Sequence, residues 1–186
     1  LLQKADLAVY SCKRKGTGLY EFFVADMEEA NRRRIAIEQG LKEAIANDEL
    51  FLVYQPMVDM GCENVTGIEA LLRWRSRELG LLGPDEFVGS AERTGQIVPI
   101  GEWVLRTACR QSRAWQLAGM PPTRISVNVS TRQLQEGNLH ELVSSILEET
   151  GLEPGLLEIE LTETVALERL HQAKNTVTRL AELGVR

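Results

Sequence analysis

From about residue 50 onward the chain alternates short apolar runs of strand length with longer amphipathic stretches, and that alternation constrains the fold more than any other feature of the 186 residues. The strand-length runs are Leu50 to Pro56, Gly67 to Trp74, Ile125 to Val129 and Leu157 to Leu161. Between and after them, residues 85–93, 99–117, 140–149 and 163–183 carry apolar side chains at helical spacing. Strands separated by helices predict a mainly parallel sheet covered by helices. The last helix is expected to stop at Gly184, and Val185-Arg186 reads as a fifth strand beginning.

Side chains along a strand alternate between its two faces. In the second run Glu69, Leu71 and Arg73 therefore share one face, while Ile68, Ala70, Leu72 and Trp74 share the other. Burying an unpaired charge is costly, so the face with Glu69 and Arg73 must be solvated or occupied by a partner such as a metal ion or a phosphate. The later runs repeat the division. Ile125, Val127 and Val129 alternate with Ser126, Asn128 and Ser130, Leu157, Ile159 and Leu161 alternate with Glu158, Glu160 and Thr162, and Gln55 holds the corresponding end of the first run. In a parallel α/β barrel the C-terminal strand ends build the active face, which would bring Glu69, Asn128 and Glu160 together. Two carboxylates and an amide oxygen suit Mg²⁺, Mn²⁺ or Ca²⁺ better than zinc, and Arg73 beside them would suit a phosphate oxygen. The residues by themselves leave open the alternative of half-exposed strand ends with no ligand.

Composition narrows the partners. Lys and Arg number 21 against 27 Asp and Glu, a net charge of −6 that argues against nucleic-acid binding through bulk charge. A phosphate ligand would need local positive charge or a metal. Cys12, Cys62 and Cys109 lie far apart without metal-ligand spacing and read as reduced thiols in a cytosolic setting. No apolar run in this sequence reaches the ~18–20 residues that span a bilayer. His140 and His171 sit on expected helices without ligand spacing, and read as surface or capping residues.

Residues 1–15 are helical in pattern, Gly16-Thr17-Gly18 stops them, and a short strand is expected over Leu19 to Phe23. Ala5-Asp6-Leu7-Ala8-Val9-Tyr10, with Cys12-Lys13 and Gly16, resembles the closing helix and turn of GGDEF (diguanylate cyclase) domains. The GGDEF signature is not in the sequence, and Gly16-Thr17-Gly18 stands where that family has Gly-Arg-Asn. The resemblance implies a phosphate-binding role for Lys13; the alternative is a solvated basic helix end. Residues 26–48 read as a connecting helix, with Arg32-Arg33-Arg34 on its flank.

A second resemblance rests on four motifs in order: Tyr54-Gln55-Pro56; Glu69-Ala70-Leu71 with Arg73-Trp74; Asn128-Val129-Ser130 with Gln133; and Glu160-Leu161-Thr162-Glu163. Together they resemble EAL domains, phosphodiesterases that hydrolyse cyclic di-GMP to the linear dinucleotide pGpG with Mg²⁺ or Mn²⁺ on a modified (β/α)₈ barrel. The resemblance implies that Glu69, Asn128 and Glu160 are metal ligands, with Glu69 catalytic, that Gln55 and Arg73 bind substrate, and that Glu163 steadies a loop. The family's tandem Asp, later Lys and later Glu are not in this sequence, so the expectation is about the first half of a (β/α)₈ TIM-like barrel. The domain plan is then 1–25 as the end of a GGDEF-like domain, 26–48 as the connecting helix and 49–186 as the N-terminal portion of an EAL domain. This chain alone would be inactive, and the intact parent a cytoplasmic enzyme, with a membrane anchor through an upstream segment left open. The implied partner is cyclic di-GMP, not DNA or RNA, with a homodimer through the EAL domain left open. A non-catalytic cyclic di-GMP receptor is the competing reading.

Overall fold

The computed structural model describes residues 22–59, 61, 64–135, 138–161 and 167–186, together with Ala5 and Val9, both helical. Most of the helix, turn and strand expected over residues 1–25 lies outside the described residues, as do Cys12 and Cys62. Phe22 and Phe23, expected to end the short strand, are in neither helix nor strand. There the chain is turning into the helix that begins at Ala25, whose opening hydrogen bond runs from the Met27 N–H to the Val24 carbonyl at 3.0 Å.

Helix α1 (Ala25–Gly40) leads to strands β1 (Leu50–Val58), β2 (Val65–Ser76) and β3 (Gly80–Leu82). Helices α2 (Pro84–Thr94) and α3 (Ile97–Leu117) follow, then β4 (Arg124–Val129), a short α4 (Thr131–Gln135) and α5 (Leu139–Thr150). Strand β5 (Leu157–Leu161) and α6 (Leu167–Glu182) complete the order. Pro99 falls in the first turn of α3, where a missing N–H costs nothing because those donors have no helical partner. Among the described residues no helix is long and apolar enough to cross a membrane.

Three expectations need correction. The connecting helix ends at Gly40 and not near residue 48, since residues 41–48 form turns. A Cβ on Gly40 would lie 2.8 Å from the Trp74 ring, so the chain passes too close to that indole for a side chain there. The turns then carry Leu41 and Ala44 into the core, where they are 1% and 0% exposed. Second, β1 runs antiparallel to β2, because a connection over residues 59–64 is too short to cross over to a parallel neighbour. Third, β3 and α4, not expected from the sequence, are both present; β3 pairs antiparallel with the end of β2.

The parallel part of the sheet is β2, β4 and β5, in that spatial order. One face carries Ala70, Trp74, Ile125, Val127, Val129 and Leu157, all buried. The helices contribute Phe87, Leu105, Ala108, Val143 and Ile146 to the same core. Cys109 is buried there too, and burial pushes its thiol up to about 12, the mark of an inert core residue. Beyond β5, the Arg186 N–H donates to the Leu157 carbonyl at 3.1 Å and the Ile159 N–H donates to the Arg186 carbonyl at 2.8 Å. That is the pattern of a parallel ladder, so Arg186 sits in register beside β5, where a strand was expected to begin.

Trp74 joins the layers. Its ring is fully buried, meets Phe87 edge-on at 5.6 Å between centroids, and donates from Nε1 to the Glu49 carboxylate at 2.9 Å. Removing the donor leaves a largely buried carboxylate with only its 3.4 Å ion pair to the exposed Arg77, a loss of about 1–3 kcal/mol. Trp74→Phe is therefore expected to lower the free energy of unfolding by that amount, read as a lower urea midpoint at an unchanged m-value, and Trp74→Phe combined with Glu49→Leu to recover part of it.

Candidate functional site

The sheet face away from the helices gathers the polar side chains. Parallel register sets Glu69 opposite Ser126 and Ser126 opposite Glu158, and one step on sets Asn128 opposite Glu160. On the other side of β2, antiparallel register sets Gln55 opposite Glu69. Paired residues project from the same face, so Gln55, Glu69, Asn128 and Glu160 form one band across four strands. Within it the Asn128 amide donates from Nδ2 to Glu69 Oε1 at 2.8 Å.

The surroundings separate Glu160 from Glu158. Glu158 is half-buried and accepts a hydrogen bond at 2.8 Å from Arg124, near the N-terminal ends of the strands. Glu160 lies two residues further on, toward the C-terminal end, beside Asn128. Ser126, between Glu69 and Glu158, is fully buried, and its Oγ has no hydrogen-bond partner among the described residues.

Arg73 is half-buried, further along β2 on the face of Glu69, and donates to the neighbouring Leu72 carbonyl at 2.8 Å. Gln55 and Asn128 are exposed. Glu163 lies outside the described residues.

The carboxylates of Glu69 and Glu160 with the amide oxygen of Asn128 make an all-oxygen donor set from adjacent strands, which suits a hard divalent cation. Among the described residues no three His, Cys, Asp or Glu side chains stand together as a metal group. The set here has only two carboxylates, and its third donor is an amide.

Beside this band, a cavity of about 430 Å³ opens between α2, α3, the middle of β2 and the end of β4, within the range of small-molecule sites. Its walls include Leu71, Asp85, Glu92, Asn128, Ser130 and Gln133. Of the residues singled out as ligands in the sequence, only Asn128 lines it; Gln55, Glu69, Arg73 and Glu160 do not. Asp85 and Glu92 were missed, although the Gly83-Pro84-Asp85-Glu86 start of a helix directly after a strand turn was a usable signal. That start is held by Glu86, whose carboxylate accepts from the Gly83 N–H at 2.9 Å and pairs with Arg33 of α1. The Gly83 N–H first, then Arg33, keep the Glu86 carboxyl below the usual carboxylate range.

If the Asn128–Glu69 contact is the joint of the band, Asn128→Asp sets two negative charges against each other there. The variant is expected to unfold at lower temperature without divalent ions and to regain most of the loss in millimolar Mg²⁺. Differential scanning calorimetry with and without the ion checks this.

The EAL domain family model matches residues 38–186. An uncharacterized signaling protein of Caulobacter vibrioides is 39% identical over 186 residues, all of this chain and 22% of that protein. The cyclic di-GMP phosphodiesterase NbdA of Pseudomonas aeruginosa is 38% identical over 185 residues, all of this chain and 24% of that protein. The chain thus spans less than a quarter of the length of these two relatives. Among solved structures, the PaMucR phosphodiesterase in complex with c-di-GMP superposes with a TM-score of 0.76 at 38% identity, covering 80% of this chain and 60% of that one. The FimX EAL domain from Pseudomonas aeruginosa bound to c-di-GMP gives 0.69 at 26% identity, covering 82% of this chain and 60% of that one.

Proposed function

This chain belongs to the EAL domain family, and we propose that the protein carrying it hydrolyses cyclic di-GMP to linear pGpG with Mg²⁺ or Mn²⁺ as cofactor. The observation that carries the reading is the hydrogen bond joining Asn128 to Glu69 on the face where Asn128 also stands in register with Glu160. Glu69, Asn128 and Glu160 would hold the cation. When bound, it supplies a Lewis acid that acidifies water and draws charge from the phosphoryl oxygens. Arg73, on the same face toward the C-terminal end of β2, offers a guanidinium fork to a phosphate oxygen, and Gln55 an amide to the substrate from β1. Glu163, outside the described residues, keeps its expected role of steadying a neighbouring loop. The family match begins at Glu38, inside the last turns of α1. Residues 1–25 as the end of a GGDEF-like domain belong to this proposal.

One observation favours a second reading, a receptor that binds cyclic di-GMP without cleaving it. The cavity beside the band is walled by residues other than Glu69 and Glu160, so a ligand could be gripped without either carboxylate.

Hydrolysis by the full-length protein, followed by chromatography of the linear product, separates the two. The enzyme reading predicts metal-dependent pGpG formation that Glu69→Ala abolishes while leaving the melting temperature nearly unchanged. Arg73→Ala is expected to weaken substrate binding by about 10–100-fold, the value of a hydrogen bond to a charged group. Tight binding with no product at any metal concentration would support the receptor.

A further inference from the structure

Gln133 stands five residues after Asn128 and belongs to a motif for which the proposed chemistry gives it no part. Its side chain folds back on the turn that ends β4. Gln133 Oε1 accepts the Ser130 N–H at 3.0 Å, while the Gln133 N–H donates to the Ser130 carbonyl at 3.1 Å and reaches the Ser130 hydroxyl at 3.4 Å. Ser130-Thr131-Arg132-Gln133 is thus a reciprocal capping box at the start of α4, with its two bonded ends, Ser130 and Gln133, each about 5% exposed.

Two neighbours lock this turn in place. Gly101, inside α3, leaves a notch that the Gln133 amide fills, and a Cβ built on Gly101 would overlap that amide. A glycine in a helix interior gives up roughly 1 kcal/mol against alanine, so the notch has a cost that the close approach explains. Arg132 donates from Nη1 to the Glu92 carbonyl at the end of α2. The segment directly after Asn128 is therefore tied to α3 and to α2 as well as to itself.

We propose that Gln133 is a positioning residue for Asn128. Through Oε1 it fixes where β4 ends and so holds the Asn128 amide at Glu69 and beside Glu160. The inference rests on the metal-site reading given above. It assigns Gln133 no contact with cation or substrate, although its amide shares the cavity wall.

Mn²⁺ binding to the full-length protein, measured by electron paramagnetic resonance, tests it with two near-isosteric variants. Gln133→Met keeps the volume and removes the acceptor. Gln133→Glu keeps the acceptor and removes the Nε2 donor. Removing a group bonded directly to a metal ligand weakens affinity by about 10–100-fold; Gln133 acts at one remove, through Ser130, so Gln133→Met is expected to weaken Mn²⁺ by about tenfold, the lower end of that range. Gln133→Glu should stay within about threefold of the native protein, and hydrogen exchange at Ser130 should quicken only in Gln133→Met.

Gln133→Met with native affinity would overturn the inference while leaving the metal site standing. Equal losses in both variants would overturn it in favour of a direct role for the Nε2 donor. A native protein that binds no Mn²⁺ would remove the metal-site reading itself, and the inference with it. Gly101→Ala, which displaces the amide without touching its chemistry, gives a second route: it should lower Mn²⁺ affinity as Gln133→Met does, and native affinity there would count against the inference.

Discussion

Parallel pairing of β2, β4 and β5 is the constraint on which the rest depends. A slip of one residue in β4 would turn Ser126 and Asn128 toward the helices and Val127 and Val129 toward solvent, exchanging polar band and core in one step. Register is therefore enforced from the apolar side, where Ile125, Val127, Val129 and Leu157 are almost fully buried. The polar band is placed by packing that it does not itself take part in. This explains how the Glu69 and Glu160 carboxylates can share a face, with Glu69 held by the Asn128 amide, provided that solvent or a cation answers their charge.

The helical layer holds the two ends of that band. At the β2 side, Trp74 ties the end of α1, Glu49 and Phe87 of α2 together one residue from Arg73. At the β4 side, the turn after Asn128 is closed by its own capping box and tied to α2 and α3. Helix α2 takes part in both and lines the cavity between them through Asp85 and Glu92. It is also the helix that α1 grips, since Glu38 accepts from Arg93 at 3.2 Å and Glu86 pairs with Arg33. Burial would raise the Glu38 carboxyl, but the hydrogen bonds from Arg34 and Arg93 outweigh it and leave it below its usual value.

How much of this could be read from the residues depends on how local each signal is. Strands with an apolar face and a polar face, such as Ile125 to Val129 and Leu157 to Leu161, announce themselves through two-residue alternation, and the band of Glu69, Asn128 and Glu160 follows from it. The end of α1 at Gly40 was not legible because its cause is an indole that arrives from another strand. The antiparallel direction of β1 was hidden only by attention to its apolar pattern, since the short link over residues 59–64 already required it. Strand β3 is three residues long and leaves no periodicity to detect. Asp85 and Glu92 meet the cavity only through the packing of α2 on strand ends, which no short-range pattern encodes. By contrast, Ser130-x-x-Gln133 was a local signal for α4 that could have been read.

The proposed chemistry requires oxygen donors from neighbouring parallel strands to meet at one cation. Crystals of the full-length protein soaked in Mn²⁺, with anomalous scattering collected at the manganese edge, test it most directly. The expected result is a peak at coordination distance, roughly 2.0–2.6 Å, from oxygens of Glu69, Asn128 and Glu160. Manganese bound elsewhere on the protein, with those three side chains uncoordinated, would contradict it.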